Sequence, residues 1–356
     1  MRRIVYHEIG SYRSVLADPS RQRYAAWDAR IKYADNNSGE MSITIAPDNP
    51  EYQALASLVS ELVVEDDGVE IWRGRMLEPE TDIYGRLRLT VKGVLDYLHD
   101  TVQPAKTISG TAADVFSALI TAHNAKPVES RKKFVLGTVN VTTAVSNYKI
   151  TAGAKTWEQV SKLVKSYGGH ISVRRVDGKN YIDWIDEIND VCSQTVRLGE
   201  NILDLKKTIN VDDLSTVVYP YGKTTNGAAL GIESVNGGLA YLVDEDAVAV
   251  FGWVESSYTD SSCADAGQLM ADARAALDQR ISEAKTITVS AVDLSDIGDA
   301  ERIEINKLVP VEALPHGIDE LMPCTALTRY LWEPQRTQIS LGASMRAISA
   351  MIGGML

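Results

Sequence analysis

The first hundred residues alternate apolar and polar positions in the way that is typical of β-strands. In segment 86–91, leucine and valine alternate with arginine and threonine, which is the period of a half-buried strand. Two β-prone runs, 62–65 and 69–74, are separated by Asp66-Asp67-Gly68, and an acidic pair followed by glycine indicates a hairpin turn. We therefore predict a first β-domain over residues 1–100.

The middle of the chain has helical spacing instead. Thr111 precedes apolar residues at 115, 116, 119 and 120, and Asp114 lies near the positive end of the predicted helix. Thr156 and Gln159 fit a capping box, with the threonine as N-cap and the glutamine at the third helical position. Gly168-Gly169 ends this second helix. A hairpin with an Asp-Gly turn follows, as expected for an α/β insert.

After residue 195 the pattern returns to strands. A strand over 211–219 ends at Pro220, and residues 224–239 are rich in glycine and asparagine, which predicts a loop. Residues 265–284 carry an apolar stripe at helical spacing. The remaining predicted strands lie near 286–292, 303–305, 325–332 and 337–341. The predicted organisation is a first β-domain at 1–100, a helix-rich α/β insert at 101–195, a second β-domain at 196–345 containing the helix 265–284, and a C-terminal tail at 346–356.

Composition narrows the classes of function. A chain of 356 residues has room for two or three domains. With 48 acidic and 36 basic residues, its net charge is −12. This balance argues against a surface that neutralises nucleic-acid phosphates and against docking on anionic membranes. It is compatible with a surface that must not retain DNA, and solubility alone is the simpler explanation of the net charge.

The cysteines and the apolar runs add further exclusions. Cys192, Cys263 and Cys324 are far apart, so their spacing favours neither a zinc site nor a disulfide framework. We expect small buried residues and synthesis in a reducing cytoplasm. No apolar stretch approaches the roughly 20 residues of a membrane span, so we expect no membrane anchor.

Candidate chemistry is sparse. The five histidines do not have the spacing of paired metal ligands. His170, with Asp183 and Asp186 across its predicted hairpin, could form a metal or acid/base site, although a surface polar pair is the expected reading. The acidic pairs could act as glycosidase partners, but they lie in turns and loop edges where aspartate is favoured for backbone bonding. These pairs are Asp66-Asp67, Asp212-Asp213 and Glu187 with Asp190. We predict no catalytic residue, no metal and no cofactor.

The tryptophans admit two interpretations. Four of them fall on predicted strands or at a helix start, where packing in the core is the default. Some could instead lie at a subunit interface, where tryptophan is enriched. The four are Trp72, Trp157, Trp184 and Trp332.

A resemblance to a known family rests on several phrases in order. The phrase over 212–223, which contains Tyr219-Pro220-Tyr221-Gly222-Lys223, resembles the one that opens the second β-barrel of siphophage tail hub proteins, a family labelled prophage tail or tail-endopeptidase. Segment 322–342, which ends in Leu341-Gly342, resembles the closing strands of that barrel. Trp157 begins a segment similar to the family's helix and hairpin, and Trp72 lies in one similar to its first-barrel hairpin.

The resemblance implies an α+β, multidomain fold like the central hub of contractile tails, with two similar small β-barrels flanking a helical α/β insert. It implies a homotrimer at the virion tail tip, assembled in the bacterial host cytoplasm. Its partners would be the tail tube or distal tail protein ring, and a central fibre, spike or receptor-binding protein. DNA would pass through the channel without specific binding.

The chain departs from the family in one respect. Many members carry a C-terminal peptidase or glycosidase, whereas about a dozen residues follow Gly342 here. We therefore expect the structural hub function, with Tyr219, Pro220 and Gly222 as structural signature residues. The alternatives are a cell-wall hydrolase, which would need two convergent carboxylates, and a carbohydrate-binding module with exposed aromatic side chains.

Overall fold

The structure is a computed structural model that describes residues 2–209, 214–225, 227–296 and 298–342. Side chains are described for these residues except 207–209, 282–287 and 296. The fold is of the α+β class, as predicted, and strands predominate. No helix in the described part of the chain is long and apolar enough to cross a membrane.

The first β region is an antiparallel sheet in which two of the connections join strands that are not neighbours. Its sheet order is β3-β4-β7-β6-β5-β1-β2. The strands are β1 (Arg3–Ile9), β2 (Tyr12–Ala17), β3 (Ala26–Ala34), β4 (Glu40–Ile45), β5 (Glu61–Asp66), β6 (Val69–Thr81) and β7 (Leu87–Gly93).

Local pattern accounts for these strands. Leu87, Leu89 and Val91 are buried along β7, as the alternation predicts. Asp67 and Gly68 both have positive φ, 48° and 83°, in the turn between β5 and β6. Such a pair matches the right-handed twist of the flanking strands. The predicted hairpin is therefore confirmed.

The α/β insert follows a short 3₁₀ turn at Val94–His99. Strand β12 pairs antiparallel with β11 and parallel with β9, and β10 pairs with β8. The elements are β8 (Lys106–Thr111), α1 (Ala112–Asn124), β9 (Phe134–Val139), β10 (Ala144–Ile150), α2 (Thr156–Tyr167), β11 (His170–Val176) and β12 (Lys179–Ile185).

The two helices of the insert begin differently. Thr111 caps α1 in a reciprocal box, in which its hydroxyl accepts from the Asp114 N–H at 3.2 Å and its own N–H donates to the Asp114 carboxylate at 2.8 Å. The capping box predicted for α2, with Thr156 as the N-cap, is wrong by one residue. Thr156 is the first helical residue, and its hydroxyl is buried among polar groups of the insert instead. The Glu158 carboxylate accepts from the backbone N–H of the preceding residue 155 at 3.1 Å.

The rest of the chain forms two interleaved structures, a set of long strands and a small layer. In chain order, the elements are β13 (Val196–Arg197), β14 (Ile202–Ile209), β15 (Val217–Tyr221), β16 (Thr224–Thr225), β17 (Ala228–Ala229), β18 (Leu242–Val243), α3 (Glu245–Phe251), β19 (Glu255–Thr259), α4 (Ala266–Ala284), β20 (Lys285–Val292), β21 (Leu308–Ala313), β22 (Ile318–Tyr330) and β23 (Gln338–Leu341).

We call β13, β14 and β20–β23 the second β region. Four of these strands pair in the order β14-β20-β23-β22, and β21 pairs with both β22 and β13. The strand predicted at 303–305 is wrong. Ile303 is buried there without strand pairing, and its carbonyl accepts from the Arg329 side chain at 3.1 Å. A side chain thus satisfies a group that a strand would have paired.

The remaining elements, β15–β19 with α3 and α4, form what we call the α4 layer. Its central strand β15 pairs antiparallel with β18 and parallel with β19. Helix α4 covers one face of this sheet, with Leu269, Ala273 and Leu277 buried against Val218. The helix predicted at 265–284 is therefore confirmed, with the bounds Ala266–Ala284.

The two β regions share one sheet. Strand β22 is 13 residues long, and it pairs with β21 in its first part and with β3 in its last part. The resulting path runs β14-β20-β23-β22-β3-β4-β7-β6-β5-β1-β2. Within the described residues its end strands β14 and β2 do not pair with each other. No closed barrel is therefore observed among the described residues. The long strand β22 instead joins the two β regions in one sheet.

The hydrophobic core is divided into four clusters. They belong to the first β region, the insert, the second β region and the α4 layer. Tyr33 of β3 packs against the cores of both β regions. The predicted domain boundaries remain a prediction. Hydrogen bonds between β3 and β22 connect the first predicted domain directly with the third.

Candidate functional site

The signature phrase lies in the α4 layer. Tyr219 and Pro220 belong to β15, which continues to Tyr221 rather than ending at the proline. Because β15 pairs only with β18 and β19 among the described residues, the phrase does not open the strands of the large sheet. The expected position at the start of a second barrel is therefore wrong. Asp212-Asp213, at the start of the phrase, lies outside the described residues.

Gly222 has a packing function at the end of β15. A Cβ at this position would lie 2.9 Å from the carbonyl oxygen of Cys263 and 3.1 Å from the side chain of Leu230. Its N–H donates to the Leu230 carbonyl at 2.8 Å, and the next N–H, of Lys223, donates to the Cys263 carbonyl at 2.7 Å. The phrase is a tightly packed strand end, and none of these contacts suggests catalysis.

The other signature residues lie in the cores. Trp72 is 8% exposed on β6, and a Cβ at Gly74 would lie only 2.5 Å from its indole ring. Trp157 packs against the insert core from the first turn of α2. Leu341 is fully buried on β23, and Gly342 donates its N–H to the Pro323 carbonyl at 3.0 Å. Core packing, the default interpretation, fits these residues.

The two tryptophans outside the signature behave similarly. Trp184 is fully buried and donates its indole N–H to the Gly168 carbonyl at 3.1 Å. Trp332 packs against the first core and donates to the Arg3 carbonyl at 3.0 Å. The exposed tryptophans are two others, Trp27 at 47% and Trp253 at 52%.

The suggested site at His170 does not form. His170 Nδ1 lies 2.8 Å from a carboxylate oxygen of Asp35, a residue of the first β region. Asp183 instead accepts from Arg174 at 3.0 Å and from the Thr138 N–H at 2.6 Å. The pair joins the turn after β3 to the start of β11, so it connects two regions. Partners so distant in sequence leave no local signal.

The aspartates of the acidic pairs that the structure describes form hydrogen bonds and ion pairs within the fold. Asp66 accepts from Arg3 at 3.1 Å and from Arg302 at 2.6 Å, while Asp67 accepts from the Arg2 N–H at 2.9 Å. Asp190 lies 3.7 Å from Lys307. In the ranges that the structure describes, no group of three or more histidine, cysteine or acidic residues could hold a metal ion.

A seam of charged residues joins the two β regions beside the β3–β22 pairing. Asp66 of β5 binds Arg302, which belongs to the segment before β21. Arg329 of β22 is 3% exposed and lies 3.4 Å from the fully buried carboxylate of Asp293. Burial raises the pKa of Tyr33, which lies in the same seam, to about 12. These contacts hold the two regions in one arrangement.

A second network joins the first β region to the insert. The Arg73 guanidinium donates to Glu8 at 2.6 Å, to Glu61 at 2.8 Å and to Glu70 at 2.9 Å. Glu61 also lies 3.3 Å from Arg131 of the insert. Charge-assisted bonds of this kind are among the stronger polar contacts. The insert is thereby fixed to the first sheet.

Two clefts lie between regions. One, of about 590 Å³, lies where both β regions meet the insert and includes Trp72, Arg174 and Arg302. The other, of about 1130 Å³, separates α2 from α4. Both are lined by charged residues of both signs.

Two exposed apolar hairpin tips are the most prominent surface features of the β regions. Between β6 and β7, Ile83 is 92% exposed and Tyr84 is 72% exposed. The Asp82 carboxylate orders this turn by accepting from the N–H groups of Tyr84 and Arg86. Between β21 and β22, Leu314 is 71% exposed in a turn that ends in a glycine with φ of 68°. Each tip adjoins a strand of 13 residues.

Not all cysteines are buried. Cys192 and Cys324 are buried as predicted, but Cys263 is only half-buried, because its loop lies at the edge of the second cleft. All three are free thiols. Burial raises the pKa of Cys324 to about 12, so this thiol is unreactive at neutral pH.

The C-terminal half of the chain is similar to a known protein family. Residues 192–352 match the model of a family described as prophage endopeptidase tail. No curated protein matches the chain by sequence.

The fold is found in solved tail proteins. The 43 kDa tail protein of prophage MuSo2 from Shewanella oneidensis is 13% identical with a TM-score of 0.64, covering 97% of this chain and 99% of that one. A tail protein from Neisseria meningitidis MC58 is 16% identical with a TM-score of 0.65, covering 96% of both chains.

A more distant structural similarity is to a component of a secretion system. An E. coli component of the type VI secretion system, described as structurally similar to T4 bacteriophage tail proteins gp27 and gp5, is 9% identical with a TM-score of 0.51. The alignment covers 88% of this chain and 72% of that one. The resemblance read from the sequence is confirmed: residues 192–352 match the prophage tail family, and nearly the whole chain has the fold of solved tail proteins.

Proposed function

We propose that the chain is a structural hub protein of a phage tail tip. Three copies form a ring that joins the end of the tail tube, or a distal tail protein ring, to a central fibre, spike or receptor-binding protein. The ring belongs to the virion, is assembled in the bacterial host cytoplasm, and lets DNA pass. The family match and the fold likeness support a tail protein.

The observation that carries the hub function is the pair of exposed hairpin tips. One tip, with Ile83, belongs to the first β region, and the other, with Leu314, belongs to the second. Because β22 joins these regions in one sheet, both tips are held by the same rigid scaffold. Three chains would then present six apolar tips, which suits docking on a sixfold tube ring, and closed rings are common in homo-oligomers. In this proposal each β region acts as one barrel-like half.

The charge of the chain supports the passage of DNA. A net charge of −12 does not favour phosphate binding, which needs clustered lysine and arginine. DNA would therefore move through the channel without specific binding. A strongly basic channel in a structure of the assembled ring would contradict this part.

We propose no enzymatic activity for the described residues. The family's name includes an endopeptidase, but the suggested carboxylates Asp66 and Asp190 are paired with arginine or lysine. Clearing of peptidoglycan by the purified chain in a zymogram would contradict this proposal.

The first test is the native mass. Light scattering should give about three times the 38.9 kDa of one chain. A chain that stays monomeric at high concentration and also fails to bind a tail tube protein would contradict the hub.

The second test addresses the tips. Ile83→Asp and Leu314→Asp should each weaken binding to the tube protein, and the double variant should abolish it, without loss of thermal stability. Val69→Asp is the matched control, because Val69 is also an exposed apolar residue, at 66%, next to a different hairpin turn. If the control weakens binding as much as the double variant, the tips are not the docking surface.

A further inference from the structure

The α4 layer presents a cluster of aromatic side chains on its surface, which we call the aromatic platform. It consists of Tyr219, Tyr241, Trp253 and the carboxylate of Glu255. The rings of Tyr219 and Tyr241 have centroids 5.5 Å apart, and those of Tyr241 and Trp253 also lie 5.5 Å apart, nearly perpendicular at 78°. Such edge-to-face contacts stabilise aromatic pairs.

The strand pattern explains the position of the platform. Successive side chains of β15 point to opposite faces of its sheet. Val218 packs against α4, so the next residue, Tyr219, faces away from that helix. Tyr241 precedes β18 and Trp253 precedes β19, the two neighbours of β15. The platform therefore lies on the face of the small sheet that α4 does not cover.

The platform is held rigid by one carboxylate. The Trp253 indole N–H donates to Glu255 Oε1 at 2.9 Å, and the Tyr219 hydroxyl donates to the same oxygen at 3.2 Å. Trp253 is nevertheless 52% exposed. An exposed indole that is already fixed loses little conformational freedom when a ligand stacks on it. By contrast, Trp27 is similarly exposed and has no aromatic partner in the described part of the chain.

The chemistry of the platform favours a sugar. A pyranose ring combines an apolar C–H face, which stacks on an aromatic ring, with hydroxyl donors at its edge. Within the described residues Glu255 Oε2 accepts no hydrogen bond, so it is available for a charge-assisted bond from a hydroxyl. The adjacent helix begins with the exposed residues Glu245 and Asp246. These carboxylates repel phosphate or sulfate groups on a ligand.

We propose that the aromatic platform binds a neutral glycan, with one sugar ring stacked on Trp253 and a sugar hydroxyl bonded to Glu255. A protein partner fits less well, because the centres of protein interfaces are depleted in charged residues and here a carboxylate lies among the rings. The site is independent of the proposed ring contacts, so either proposal can fail alone.

The test is calorimetric titration of the purified full chain with the tetramers of N-acetylglucosamine and of glucose, and with a heparin tetrasaccharide as the anionic probe. At least one neutral tetramer should bind with a Kd of about 1 mM or tighter, and the heparin fragment should not. Trp253→Ala should weaken binding more than about tenfold. Glu255→Gln should weaken it less, because the amide still accepts one hydrogen bond.

Trp27→Ala is the matched control and should bind as the wild type does. Native mass and thermal stability should be unchanged in all variants. The proposal is overturned if neither neutral tetramer binds to the wild type, or if the control weakens binding as much as Trp253→Ala. It is also overturned if Trp253→Ala changes the native mass and leaves glycan binding intact, since the platform would then be a protein interface.

Discussion

Each β region contains a buried arginine, and the two arginines differ in the number of their acidic partners. In the first, Arg73 is surrounded by three glutamates, all within 2.9 Å. In the second, Arg329 has one carboxylate, Asp293, at 3.4 Å, and its buried Nε has no hydrogen-bond partner among the described residues. Burial lowers the pKa of both groups, but hydrogen bonds to Glu70 and Glu8 raise that of Arg73 above its usual value, whereas the pKa of Arg329 stays lowered.

The difference separates two uses of buried charge. Breaking a buried ion pair leaves the partner charges without compensation, and the cost grows with their number. Three carboxylates share Arg73 and would lose it together, although Glu61 keeps Arg131 at 3.3 Å and Glu8 keeps Arg13 at 3.4 Å. Arg329 instead leaves one carboxylate, which also accepts hydrogen bonds from Gln194 and from a backbone N–H. The first region therefore depends more on its arginine.

The largest predicted effect follows from this contrast. Arg73→Met should destabilise the chain by about 3–5 kcal/mol, because three carboxylates lose their common partner. Arg329→Met should cost less, about 1–2 kcal/mol, since Asp293 keeps its other donors. The measurement is the urea midpoint followed by far-UV circular dichroism.

Arg197→Met serves as the control for loss of charge alone. Arg197 and Glu312 form an ion pair at 2.7 Å that is almost half exposed on both sides. Its loss should shift the urea midpoint much less than the loss of either buried arginine does, because solvent screens an exposed pair. If Arg329→Met proves as harmful as Arg73→Met, the number of carboxylates is not what decides the cost.

The same contrast explains what the sequence could predict. In the first β region, β5 and β6 are joined by a turn of two residues, so the strand pattern and the turn specify the pairing together. In the second, β14 pairs with β20 across the whole α4 layer. A pattern of alternation identifies such strands but does not identify their partners. For this reason the pattern predicted the strand β20 but not its pairing with β14.

The tryptophans also differ in how well the sequence predicts their positions. Trp72 and Trp157 were expected in cores because they fall on a predicted strand and at a predicted helix start, and both pack against cores in the structure. Trp253 lies between Gly252 and Val254, and no short-range pattern connects it to Tyr219 or Tyr241. Only the pairing of β15 with β18 and β19 brings these rings together.

A smaller effect is expected from glycines at close contacts. A Cβ at Gly93 would lie 1.8 Å from the carbonyl oxygen of Ser38, whereas one at Gly222 would lie 2.9 Å from that of Cys263. Gly93→Ala should therefore destabilise the first β region by roughly 3 kcal/mol, and Gly222→Ala should destabilise the α4 layer by about 1 kcal/mol. Differential scanning calorimetry measures both.

Gly267→Ala is the control for these substitutions. Gly267 lies in the first turn of α4 with an ordinary φ, and the nearest atom to an added Cβ is a flexible carboxylate oxygen of Asp265 at 3.3 Å. Alanine is the better helix former, so the melting temperature should stay unchanged or rise. A Gly222→Ala variant that is more harmful than Gly93→Ala would show that the first sheet can shift to relieve the contact.

The predicted effects of pH on stability have opposite signs in the first β region and in the α4 layer. Burial raises the pKa of Glu51 in the first β region, but hydrogen bonds with His7, Ser14 and Tyr12 outweigh it and lower the pKa below its usual value. Burial raises the pKa of Asp272 on α4, and the nearby charge of Asp260 raises it further. Glu51 therefore stabilises the fold above its unfolded pKa, and this contribution disappears as the pH falls through its folded pKa. Asp272 costs stability at neutral pH, and this cost is absent below its unfolded pKa.

Two amide variants test the signs. Glu51→Gln should lower the urea midpoint at pH 7, by an amount equivalent to about 1–3 kcal/mol for a buried hydrogen-bonded group, and the difference from the wild type should shrink towards about pH 3. Asp272→Asn should raise the midpoint at pH 7, and this gain should also shrink towards acid pH, because the wild-type carboxyl is then protonated. Asp272→Asn keeps an acceptor for Gln268, which donates to the carboxylate at 2.8 Å. A loss of stability in Asp272→Asn at pH 7 would mean that the carboxylate is stabilised by its surroundings, and the contrast between the two regions would then not extend to their acids.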